Sequence, residues 1–205
     1  MNNTSINISD AVDILGNGGI VSFPTDTAYC LAADIFCDDA IKRVFEVKGR
    51  MADKAMPIFI PDKQSLPELA IEIPDIAWKL ADAFWPGGLT MVVKKHASLS
   101  TPAIAEGETV ALRVPGHAIA LEIVRKLGKP VTGTSANLSG SETPVTASQV
   151  RKQLGNTVDM IIDGGKCPGT AVSTIIDITG PVPKVLRQGA VPKQALEEIC
   201  GLAIV

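Results

Sequence analysis

Lys48 and Arg50 flank a single glycine, with Lys54 just downstream and Lys42 and Arg43 just upstream. A lysine offers a compact point charge and an arginine a planar fork, a pair suited to polyphosphate. The same run also suits a solvated helix end, where cations complement the macrodipole. Two further stretches place hydroxyls at strand ends. "PTDTAYC" puts Thr25, Asp26 and Thr27 directly after an apolar run, and "VTGTSANLSG" gathers Thr132, Thr134, Ser135 and Asn137. Each is either a turn or helix cap held by its own side chains, or a polar rim at the carboxyl end of a strand, where α/β folds bind ligands.

Two single arginines raise a related question. Arg113 lies inside "TVALRVP" and Arg187 inside "VLRQG". In a strand each is either an outward-facing member of an alternation or a buried cation that needs a carboxylate or phosphate partner. Ser173 and Thr174 open "STIIDI" and either cap that strand or face a pocket. The missing motifs narrow the chemistry. The chain has no G-x-x-x-x-G-K-[ST] phosphate loop and no G-x-S-x-G around Ser135. "GNGG" follows a helical stretch and is a helix stop. His117 is expected to start a helix rather than to act as a base.

The elements that must position these groups alternate between helices and strands. Helices are predicted over "SDAVDILG", with Ser9 or Asp10 as the cap, over "DDAIKRVFEVKGR", from about Pro74 to Pro86, and over "HAIALEIVRKLG", with Gly128 just past its end. "TASQVRKQLG" and "PKQALEEICG" complete the set. Strands are predicted at "IVSFP", "MPIFI", "LTMVVKK", "TVALRVP", "PVTGTS", "VDMIID", "STIIDI" and "KVLRQG". This order implies an α/β or α+β fold with a mixed sheet.

Composition sets outer limits. A 46% hydrophobic share with only 4% aromatics predicts a core of Ile, Val, Leu and Ala. Nineteen basic and 22 acidic residues give a net charge of −3, so contact with RNA would need a local basic patch. Cys30, Cys37, Cys167 and Cys200 form no C-x-x-C, and no metal site is expected. They are expected to be free thiols in a cytoplasmic protein. No membrane segment is expected.

The blocks "GGIVSFPTDTAYCLAA", "VFEVKGR", "FWPGGLTMVVKK", "VALRVPGHAIALEIVRKLGKPVTGTSANLSG", "VDMIIDGG", "STIIDI" and "VLRQGAV", in that order, resemble the Sua5/YrdC family. The resemblance runs from about Gly18 to Val191 and includes the family's K-x-R and S-x-N signatures at Lys48-Gly-Arg50 and Ser135-Ala-Asn137. It implies one YrdC-like domain over residues 1–205, with a twisted mixed sheet around a concave cavity. The implied reaction joins L-threonine, bicarbonate and ATP into threonylcarbamoyl-AMP and releases pyrophosphate, for the threonylcarbamoyladenosine modification of tRNA. Lys48 and Arg50 would be catalytic. They would hold ATP together with Thr109, Ser135, Asn137 and Arg187, while Thr25, Arg113 and Ser173 would face threonine. Mg²⁺ would ride on the phosphates, and tRNA and a tRNA threonylcarbamoyltransferase complex are implied partners. The chain departs from the family pattern at Cys30 and Ala32, where the family has glycines, and at Met51 and Ala55, where it has prolines. The residues leave two alternatives: a non-catalytic RNA-binding protein of the same fold, and a paralogue that adenylates another carbamate.

Overall fold

The computed structural model describes residues 7–51, 54–104, 107–168 and 171–205. Helix α1 (Ile8–Gly16) precedes a hairpin of β1 (Val21–Pro24) and β2 (Tyr29–Ala32). Helix α2 (Asp38–Lys48), β3 (Ile58–Phe59), α3 (Leu66–Leu69) and α4 (Asp75–Phe84) follow. Next come β4 (Leu89–Lys94), β5 (Thr109–Arg113), α5 (Ala118–Leu127), β6 (Val131–Thr132) and β7 (Thr134–Ser135). The chain continues through α6 (Ala147–Leu154), β8 (Met160–Ile161), β9 (Thr174–Asp177), β10 (Lys184–Arg187) and α7 (Lys193–Cys200).

Among the described residues the strands form two mixed sheets. One has the order β7-β2-β1-β8 and the other β10-β9-β4-β5-β3-β6. In the first, β1 and β2 are buried at every position, which is why neither shows an apolar–polar alternation with an exposed face. Their side chains alternate. Tyr29 and Leu31 join the larger core, while Cys30, Ala32, Val21 and Phe23 enter a second core with α1 and α5.

Where sequence periodicity predicts one strand across "PVTGTS", the structure has two, and they belong to different sheets. The break is Gly133. A β-carbon there would lie 2.2 Å from the Phe59 ring, so only glycine lets the backbone pass. Its N–H donates to the Pro57 carbonyl at 2.7 Å. Thr132 stitches the seam: its hydroxyl donates to the Leu31 carbonyl and accepts from the Ala33 N–H, both at 3.1 Å. Strand β2 was not anticipated; it exists because "PTDT" is a hairpin turn that folds "YCLA" back onto β1. The cap of α1 also moves. Asn7, rather than Ser9 or Asp10, accepts from the Asp10 N–H at 3.3 Å. The other ends agree with expectation: His117 caps α5 and Gly128 ends it at φ 66°. Cys30 sits in extended β2 and needs no glycine-only angle.

Candidate functional site

The two sheets part around an open cleft of about 170 Å³. Its lining includes Thr25, Arg50, Arg113, Ser135, Ser173 and Arg187. Six of the nine residues singled out by sequence therefore meet in one place. They come from the β1–β2 turn, the segment just after α2, strands β5, β7 and β10, and the residue just before β9.

Arg113 is buried, with 5% of its side chain exposed. Its Nε donates to the Gly87 carbonyl at 2.8 Å, and its two terminal nitrogens donate to Thr27 Oγ1 at 3.2 Å. One of them also meets Asp26 Oδ1 at 2.7 Å, and the guanidinium lies 5.5 Å from the centroid of the Phe59 ring. Asp26 Oδ1 further accepts from the Gly116 N–H at 2.8 Å. Burial pushes the Arg113 pKa down and Asp26 pulls it back up. Of the two sequence alternatives, the buried cation with a partner is the one present. Asp26, noted in sequence only as a turn residue, is that partner; an arginine inside an apolar strand was itself the signal that an acid must be near.

The turn after β1 is self-capped and lines the cleft at once. The Thr25 hydroxyl donates to the Ala28 carbonyl at 2.7 Å and accepts from the N–H groups of Thr27 and Ala28. Ser173 Oγ accepts from the Thr90 hydroxyl and from Arg187, both at 2.9 Å. Arg187 also donates to the Ser173 carbonyl at 2.8 Å and 3.0 Å. No carboxylate among the described residues pairs with Arg187, and both burial and the charge of Arg113 hold its pKa below the usual value. The Thr174 hydroxyl donates to the Val191 carbonyl and accepts from the N–H groups of Gly189 and Val191, which fixes the loop behind Arg187.

Three sequence candidates lie elsewhere. Thr109 is exposed at the start of β5, opposite Lys94, four residues along the strand from Arg113 and outside the cleft lining. Lys48 is neither solvated nor in the lining: it is 2% exposed and its amine points into the turn after β7. Asn137 is buried beside it, donating to the Ser141 carbonyl at 2.7 Å. Of the two signatures, Arg50 and Ser135 face the cleft and Lys48 and Asn137 lie behind it. Arg50 donates to the carbonyls of Lys54 and Ala55, and Ala55 itself lines the cleft.

Comparison with known proteins places the chain in a family. A sequence model of the Sua5_yciO_yrdC family, described as "Telomere recombination", matches residues 13–189. A threonylcarbamoyl-AMP synthase of Pyrococcus abyssi is 40% identical over 193 residues, which are 93% of this chain and 56% of that protein. The chain thus spans little more than half the length of that relative. A putative threonylcarbamoyl-AMP synthase of Mycobacterium tuberculosis (strain H37Rv) is 38% identical over 195 residues, 95% of this chain and 89% of that protein. The crystal structure of P. abyssi Sua5 complexed with L-threonine superposes with a TM-score of 0.93 at 38% identity, covering 97% of this chain and 58% of that one. With its mixed sheets, its arginine-lined cleft and a match over most of its length, the chain belongs to the Sua5/YciO/YrdC family.

Proposed function

We propose that the cleft makes threonylcarbamoyl-AMP from L-threonine, bicarbonate and ATP, as a nucleotidyltransferase that releases pyrophosphate. The observation that carries this reading is the meeting of Arg50, Arg113 and Arg187 with the hydroxyls of Ser135 and Ser173 in one cleft. Bicarbonate, ATP, the carbamate, pyrophosphate and the adenylate are anionic, and threonine brings a carboxylate. The threonine amine joins bicarbonate to give a carbamate with loss of water. A carbamate oxygen then attacks the α-phosphorus of ATP, and the bond to pyrophosphate breaks. Such a reaction needs positioning and positive charge more than a covalent nucleophile. In this reading Arg50, Arg187 and Ser135 meet the nucleotide. Arg113 takes the threonine carboxylate, its remaining N–H aimed by Asp26 and Thr27, and Ser173 offers its own hydroxyl proton.

Among the described residues the lining does not fit a protein-held Mg²⁺, since its charged side chains are all arginines. The metal would arrive with ATP as part of the substrate. The product would pass to a tRNA threonylcarbamoyltransferase complex. A cytoplasmic setting suits the four free cysteines, and no helix among the described residues is long and apolar enough to cross a membrane.

The test is pyrophosphate release from ATP and bicarbonate with and without L-threonine. Threonine-dependent release, reduced about 100-fold or more in Arg113→Ala and Arg187→Ala, is expected. ATP binding with no threonine-dependent release would reject the substrate assignment and favour a paralogue that uses another amine.

A further inference from the structure

Lys48 ends α2 with an almost fully buried ammonium group. Its three N–H donors meet three neutral oxygens: the carbonyl of Ser135, the carbonyl of Asn137 at 3.0 Å and Asn137 Oδ1 at 3.3 Å. No carboxylate among the described residues pairs with it, and the charge that acts on it is Arg50, of like sign. Asn137 Oδ1 also accepts from Ser135 Oγ at 2.6 Å, and the Ser139 N–H returns to the Lys48 carbonyl at 2.8 Å. Helix and turn are tied in both directions. A lysine carries three donors and no more, so an ammonium placed this way has none left for a phosphate.

We propose that Lys48 is a positioning residue that sets the shape of the Ser135–Asn137 turn, and through it the presentation of Ser135 to the nucleotide, without touching the nucleotide itself. The nucleotide half of this proposal rests on the function proposed above; the effect on the turn does not. Burial and the neighbouring Arg50 bring the Lys48 amine down to about 8. Residues 135–141 contribute no titratable group. Above that pH the amine keeps two donors and gains a lone pair, which orphans one of its three oxygen partners, and the turn loosens.

Hydrogen exchange on the nucleotide-free wild-type protein tests this. The amides of Asn137, Ser139 and Ser141, corrected for intrinsic rate, are expected to lose protection about tenfold across a step near pH 8. The Val93 amide in β4 is the control and stays protected. In Lys48→Met the step disappears, protection stays at the low level, and affinity for ATP and for AMP falls by the same factor. A Lys48 that grips phosphate would instead leave those amides unchanged and weaken ATP far more than AMP, which would overturn the proposal. If Lys48→Met does not fold, the wild-type profile decides alone, and flat protection from pH 7 to 9.5 would sink the idea. Wild-type protein that shows the step yet binds no ATP would reject the proposed function and leave the positioning role standing.

Discussion

Arg113 holds its place because Asp26 and Thr27 spend most of its donors. Asp26→Asn keeps an oxygen for the Gly116 N–H but removes the charge that faces the guanidinium. A charge-assisted hydrogen bond of this kind contributes about 1.5–3 kcal/mol. The threonine KM is therefore expected to rise about tenfold or more, with the ATP KM within about twofold, in a pyrophosphate-release assay. A second residue tests the interior. Ser22, fully buried in β1, has the one side-chain oxygen that is buried and without a hydrogen-bond partner among the described residues. Ser22→Ala removes that orphan and should raise the unfolding free energy by about 1 kcal/mol in urea titrations. At this scale the sequence was informative about residue type and silent about direction. Ser135 and Asn137 stand two apart, yet one faces the cleft and the other a lysine. That difference follows from the turn after β7, which no local pattern reveals.

Gly133 and His117 show how short connections control elements. Gly133→Ala forces a methyl group into the Phe59 ring, and that ring underlies Arg113. The expected cost is about 1–3 kcal/mol of stability, with a fall in threonine-dependent turnover larger than that in ATP affinity. His117 caps α5 by accepting from the Ile119 N–H at Nδ1, 3.2 Å away. A proton on that nitrogen ends the bond. Burial holds the His117 pKa below 6.5, so below that pH the unfolded chain binds more protons than the folded one. The contribution is fully present above pH 6.5 and is lost as pH falls through the folded value. Urea midpoints should therefore drop more steeply below pH 6.5 in the wild type than in His117→Ser. The long periodic helices α2, α4 and α5 were legible because apolar spacing and caps agree there. β2 and the β6–β7 break were not, because a four-residue strand behind a turn and a glycine forced by a distant ring depend on tertiary neighbours.

The molecule carries a net charge of −3, yet its cleft gathers three arginines. Attraction of anions is thus local and must act against the average surface. Raising salt from about 0.05 to about 0.5 M shortens the Debye length to a few ångström, so ATP affinity measured by calorimetry should fall several-fold while the melting temperature of the free protein changes little. The fold class and the grouping of six cleft residues were visible in the ordered sequence blocks. The burial of Lys48 was not, because its solvated and phosphate-bound readings both assumed an exposed amine. The cleft lies between two sheets, and the chain steps directly from a strand of one to a strand of the other at Gly133. Such a site cannot be transplanted by swapping loops onto another scaffold, and its selectivity evolves through the residues that line the seam.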